Sequence, residues 1–146
     1  MTDSPSLLIV DDDERFAETL SLEFRERGWR VDRVGDLDAL RALPAFAYTC
    51  ASVDLRLRAQ SGLDAIPIIL ERSQETRIVV LTGYGSIATA VQAVKLGALD
   101  YLSKPVQVED LLQAFLGKGL ATGAEKGADS QTLARREREY VEWVLA

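Results

Sequence analysis

The chain has 146 residues, 47% hydrophobic and 27% charged, with 17 Lys and Arg against 23 Asp and Glu for a formal net charge of -6. That length suits one domain of roughly 100 to 150 residues plus a short appendage, and the acidic balance argues against a chain that coats nucleic acid or an anionic membrane. No histidine occurs and Cys50 is the single cysteine, which removes Ser/His and Cys/His triads, imidazole zinc sites, a phosphohistidine carrier role and any internal disulfide.

The N-terminal stretch MTDSPSLL carries an acid and no basic segment, unlike a secretory signal. The longest apolar runs, such as Ile78 to Leu81, fall far short of the roughly 20 residues of a membrane span. A cytoplasmic protein without membrane contact is expected.

Short runs of Leu, Val and Ile alternate with longer segments of helical period, the pattern of repeated βα units. The first strand is predicted at Leu7 to Val10, and the acids Asp11, Asp12 and Asp13 follow it directly. Phe16, Leu20 and Phe24 recur at helical spacing and Gly28 closes that first helix, with Asp13 as its cap. A second strand is predicted at Arg30 to Val34, then a short helix from the capping Asp36 through Leu43, stopped by Pro44.

The third strand is predicted at Thr49 to Val53, where Cys50 reads as a buried structural thiol, and Asp54 comes next. A third helix is predicted over Leu63 to Arg72. Pro67 is tolerable there only within the first turn, where a backbone N–H has no intrahelical partner. The fourth strand, Arg77 to Leu81, precedes Thr82. Ser86 is predicted to cap a fourth helix with Ile87, Val91 and Val94 on one side and Gly97 at its end. The fifth strand, Asp100 to Leu102, precedes Lys104, and a fifth helix is predicted over Val108 to Leu116.

Each connection is long enough for a right-handed crossover, so the sheet is predicted to be parallel. The expected fold is α/β and flavodoxin-like, a (βα)5 three-layer sandwich with strand order 2-1-3-4-5. The domain is expected to span residues 1–117. The glycine-rich GKGLATGAEKGADSQ reads as a flexible linker over 118–132, and the residues Leu133, Tyr140, Val141, Val144 and Leu145 suggest an amphipathic helix over 133–146.

Asp11, Asp12, Asp54, Thr82 and Lys104 all fall at carboxyl ends of predicted strands. In open α/β sheets ligands bind there, where the strand order reverses. Three converging carboxylates repel one another unless a cation neutralises them. Ligation by oxygen alone points to Mg2+, with Mn2+ able to substitute. A carboxylate can attack phosphorus to give an acyl phosphate when metal and lysine neutralise the transferring oxygens.

The motifs VDDD at 10–13, VDLRL at 53–57, LTGYGS at 81–86 and DYLSKP at 100–105 resemble the receiver domain of bacterial two-component response regulators. The stretch LTGYGSIATAVQAVKLGALDYLSKP is similar to the RegA/PrrA/ActR branch. The resemblance covers about residues 5 to 117. It implies Asp54 as phosphoacceptor, Asp11 and Asp12 as the metal-binding pair, the backbone carbonyl of Arg56 as a further ligand, Thr82 as switch hydroxyl, Lys104 as counterion, Tyr101 as the aromatic switch and a cis bond before Pro105. It further implies a sensor histidine kinase as phosphoryl donor and a phosphorylation-dependent homodimer through the helix 4, strand 5 and helix 5 face. Such a domain is not an enzyme in the ordinary sense, catalysing only its own phosphoryl transfer and dephosphorylation.

In that branch a Fis-type helix-turn-helix follows the receiver, and LARREREYVEWVLA resembles its opening helix. A truncation at Ala146 is therefore expected, with transcriptional output and DNA binding belonging to a full-length parent and not to this chain alone. A stand-alone receiver acting by protein contact is the alternative. Two rivals are weaker. A haloacid-dehalogenase-type phosphatase would use Asp11 and Asp13 but leaves Asp54 without a role. A flavodoxin-type FMN binder would place phosphate against three aspartates.

Overall fold

The strand β1 (Ser6–Val10) is buried at every position, because it runs through the middle of a sheet with helices on both faces. A computed structural model describes residues 4–44, 47–83 and 87–117. After β1 come α1 (Glu14–Glu26), β2 (Arg30–Val34), α2 (Leu37–Arg41) and β3 (Cys50–Asp54). A hairpin of two short strands follows, β4 (Arg56–Leu57) and β5 (Gln60–Ser61), then α3 (Ala65–Arg72), β6 (Arg77–Thr82), α4 (Ile87–Leu96), β7 (Asp100–Ser103) and α5 (Val108–Phe115). The main sheet has the order β2-β1-β3-β6-β7 with every pair parallel. With the hairpin set aside, this is the order 2-1-3-4-5 expected from the sequence.

Alternation along the strands builds two cores. Leu8, Val10, Ala51, Val53, Ile78 and Val80 face α2, α3 and α4, whereas Leu7, Ile9, Cys50, Val79 and Leu81 face α1 and α5. The three layers follow from this division. In the second core Phe24 meets Trp29 edge to face with ring centroids 5.0 Å apart, and Trp29 lies 6.5 Å from Phe115. Removing a fully buried ring such as that of Phe24 would cost about 3 to 5 kcal/mol. The edge strand β2 exposes Arg30, Asp32 and Arg33, charges that discourage pairing with another chain.

Caps fix the helix starts. Asp13 Oδ1 accepts from the Phe16 N–H at 3.1 Å and Asp36 Oδ1 from the Ala39 N–H at 2.7 Å. Gly28 ends α1 at φ +90°, its N–H donating to the Arg25 carbonyl.

The structure corrects several boundaries. The second helix stops at Arg41 and not Leu43, since Pro44 pushes the preceding residue out of helical geometry. The third opens with a 3-10 turn over Gly62–Asp64 and becomes α-helical at Ala65, which puts Pro67 in the first turn of α3. Asp54 and Thr82 are the last residues of their strands and do not follow them. The hairpin is absent from the sequence reading, because two-residue strands are too short to show a period. On α4 the residues Ile87, Val91 and Val94 do share a side, but it faces solvent: they are 69%, 42% and 43% exposed, while Ala90 and Ala93 are buried. Ser86, the linker 118–132 and the amphipathic segment 133–146 lie outside the described residues.

Candidate functional site

Parallel strands bring all their carboxyl ends to one rim, and ladder bonds running past the strand ends fasten the residues there. The Asp11 N–H donates to the Val34 carbonyl at 3.0 Å, that of Leu55 to Leu81 at 3.0 Å and that of Lys104 to Thr82 at 2.8 Å. Backbone that would otherwise fray is thereby held beside the site.

Carboxylate oxygens of Asp11, Asp12 and Asp54 lie within 4.8 Å of one another. Lys104 Nζ donates to Asp11 Oδ2 at 2.8 Å and to Asp54 Oδ2 at 3.1 Å. The same ammonium stands 4.2 Å from the centre of the Phe16 ring, a cation–π contact that holds it over the pocket. Backbone donors complete the set: the Asp13 N–H to Asp11 Oδ1 at 2.9 Å and the Arg56 N–H to Asp54 Oδ1 at 3.0 Å.

Asp11 is 4% exposed and Asp54 8%. Burial pushes the Asp11 carboxyl up from 3.8 to about 6, against the lowering influence of the Lys104 and Asp13 hydrogen bonds. For Lys104 burial acts to lower the pKa, but the hydrogen bonds and charges of Asp11 and Asp54 outweigh it and hold the ammonium above its usual range.

Lys104 and, at the exposed rim, Arg58 stand against three carboxylates, which leaves the pocket with excess negative charge. Its donors are all hard oxygens, and Asp12 retains access to water at 21% side-chain exposure. This arrangement fits a divalent cation of the Mg2+ or Ca2+ kind. Asp13 is not part of it, because its carboxylate is spent on capping α1, which also removes the second acid that a haloacid-dehalogenase-type site would need.

Thr82 Oγ1 is buried and has no hydrogen-bond partner among the described residues. Such an orphan hydroxyl is costly, and an acceptor arriving at the pocket would satisfy it. Tyr101 pairs in register with Val80. Side chains two residues apart share a sheet face, so Tyr101 and Thr82 lie on the same side. Tyr101 is half-buried there against the first core. Arg56 meets Asp54 through its N–H, and its carbonyl is a ligand only by expectation. The Lys104–Pro105 peptide bond is cis, as the resemblance implied.

The sequence reading missed Gly62. Its N–H donates to the Leu55 carbonyl at 3.0 Å. A Cβ at this position would collide with the Asp54 carbonyl oxygen and come within 2.7 Å of Leu55 Cα. The residue supports the backbone that carries Asp54. The only sequence signal was a Ser-Gly pair soon after the third strand.

Residues 7–116 match the family model described as the response regulator receiver domain. The chain is 46% identical over 124 residues to the photosynthetic apparatus regulatory protein RegA of Rhodovulum sulfidophilum, covering 82% of this chain and 66% of that protein. It is 47% identical over 112 residues to the acid tolerance regulatory protein ActR of Rhizobium meliloti, covering 76% and 58%. The chain thus spans less than two thirds of the length of these curated relatives. Among solved structures, a response regulator from Burkholderia pseudomallei with a phosphorylated aspartic acid, calcium ion and citrate matches with TM-score 0.71 and 42% identity over 77% of this chain and 66% of that one. The site residues at one rim, the sheet order and these likenesses agree: the chain belongs to the receiver-domain family of two-component response regulators.

Proposed function

We propose that Asp54 accepts a phosphoryl group from the phosphohistidine of a sensor histidine kinase in a Mg2+-dependent reaction. The observation that carries this reading is the meeting of Asp54 with Asp11, Asp12 and Lys104 within one pocket. The Asp54 carboxylate oxygen forms a bond to phosphorus as the P–N bond breaks and the imidazole leaves. Lys104 supplies fixed positive charge to the transferring oxygens. Asp11, Asp12, Asp54 and the Arg56 carbonyl would hold Mg2+, which would supply Lewis-acid neutralisation of the same oxygens, and Mn2+ shares the needed oxygen preference.

The phosphorylated site gains about two negative charges and new acceptor oxygens. The Thr82 hydroxyl, unpartnered in the described structure, donates to one of them, and Tyr101 turns into the space it leaves. This biases two states of the face formed by α4, β7 and α5. Exposed Ile87, Val91, Val94, Leu96 and Leu99 support a role for that face in contact with a second copy once phosphorylated. Water attacking the acyl phosphate returns the domain to its resting state.

The regulatory names of the relatives support transcription as the output of a longer, cytoplasmic parent protein, whose DNA contacts lie outside this receiver. Among the described residues no helix is long and apolar enough to cross a membrane.

Radiolabelled acetyl phosphate tests the core of the reading. The protein is expected to take up label with Mg2+ and lose that uptake on chelation, while Asp54→Asn takes up none. Label that persists in Asp54→Asn, or maps to Asp11, would sink the assignment.

A further inference from the structure

A second cation stands at the rim of the acidic pocket. Arg58 Nε lies 3.4 Å from Asp12 Oδ2. Arg58 is the first of the two residues that join β4 to β5, where Leu57 pairs with Gln60. Its φ is +50°, and it is the one non-glycine residue in the left-handed region among those described. Turns of this length favour glycine, asparagine or aspartate at such a position, because any Cβ there crowds the backbone.

The strain does not belong to a loose loop. Leu57 is 1% exposed within the first core, and Gln60 Oε1 accepts from the Leu37 N–H at 3.1 Å at the start of α2. Both flanks of the turn are fastened, so its tip is aimed. The Arg58 side chain is itself 79% exposed, and packing does not account for a residue the turn disfavours. Its ionic partner does.

The acids are unequally engaged. Asp11 and Asp54 share Lys104, a half-buried and short contact, whereas among the described residues Asp12 has only the longer, solvent-washed contact with Arg58. Asp12 and Arg58 themselves line a cavity of about 640 Å3, together with Arg33, Gly35, Asp36 and Gln60, which gives a displaced guanidinium room to move.

We propose that Arg58 is an exchangeable counterion of Asp12, which a divalent cation must displace, and that it thereby sets the metal affinity of the pocket. The inference rests on the reading of Asp11, Asp12 and Asp54 as a cation site. The competition is set by ionic strength and divalent concentration, since the contact is an exposed ion pair. Arg58 offsets the charge of Asp12 before metal arrives and weakens metal binding in return.

Calorimetric titration of the metal-free full chain with MgCl2 at low ionic strength tests this. Arg58→Ala is expected to bind Mg2+ about two- to fivefold more tightly than wild type, the range that an exposed ion pair can supply. Arg58→Gly, which suits the positive φ, is expected to do the same and keeps the test valid if alanine disturbs the turn. Arg33→Ala, in the same cavity, is expected to leave the affinity unchanged. Unchanged or weaker binding in both Arg58 variants would overturn the inference while leaving the metal reading intact. Equal tightening by Arg33→Ala would overturn it too, by reducing the effect to a general field. Wild-type protein that takes up no Mg2+ would overturn the inference and the metal reading together.

Discussion

Lys104 reaches Asp11 across 93 positions of chain, Nζ to Oδ2 at 2.8 Å, and the Asp11 side chain it meets is 1% exposed. With so little exposure, the Asp11 carboxylate depends on that ammonium for charge compensation in the metal-free domain. The pocket is thus held together by a contact whose loss would strand a carboxylate.

Replacing Lys104 with Met should lower metal-free stability at pH 7 by about 1 to 3 kcal/mol in urea unfolding. The pH dependence follows from Asp11, whose pKa burial raises in the folded state from its ordinary 3.8 to about 6. A raised folded pKa means that the neutral carboxyl is favoured by folding. That contribution is complete below pH 3.8 and is lost as the pH rises through 6. At pH 5 Asp11 is largely neutral, the ion pair matters less, and the gap between variant and wild type should narrow. A gap that widens on acidification contradicts the argument.

Thr82→Val should stabilise the unphosphorylated protein by up to about 2 kcal/mol, seen as a higher urea midpoint, since it replaces a buried hydroxyl that is unpaired among the described residues with a methyl of similar shape. Ser21 and Ser52 also carry buried hydroxyls without a partner among the described residues, and Ala at either serves as a control. Only the Thr82 variant should also blunt the phosphorylation-induced change in the α4–β7–α5 face, read by hydrogen exchange. A Thr82→Val protein that is destabilised and switches normally would refute the role assigned to the hydroxyl.

Gly62→Ala should cost about 2 to 4 kcal/mol, because its Cβ meets backbone and not the yielding end of a side chain. The displaced atoms include the Asp54 carbonyl, so acetyl phosphate labelling should fall at temperatures where the variant remains folded. Wild-type labelling and stability in this variant would show that the close approach can relax.

Cys50 is 3% exposed, and burial pushes its thiol from 9.0 up to about 12. Reaction with a thiol reagent at pH 8 should therefore be slow in the native state and should track unfolding. The raised folded pKa also implies a stability term that is complete below pH 9 and lost towards 12, with a slope of at most about 1.4 kcal/mol per pH unit. Cys50→Ala should lack that part of the alkaline decline. Equal slopes in the two proteins would rule it out.

Much of this site was legible because parallel βα units make strand ends meaningful. Once Val10, Val53, Leu81 and Leu102 were read as strand residues, the polar residues after them had to share a rim. Asp13 was separable from Asp11 and Asp12 for a similarly local reason, since a helix start needs a capping acid. The hairpin at Arg56 to Ser61 was not legible. Its strands are too short for a period, and its turn is made by Arg58 and Ala59 without the glycine or asparagine that signals one.

The sequence by itself determined the βα alternation, the parallel direction of the strands and the set of acids at the strand ends, because these depend on local periodicity and on the length and handedness of the crossovers. Tertiary structure alone decided which face of α4 meets water, since Ile87, Val91 and Val94 form a helical stripe whichever way they point. It also decided that Gly62 must lack a side chain and that Arg58 stands over Asp12. Those facts depend on backbone approaches and on a turn anchored from two sides, distances that no spacing along the chain encodes.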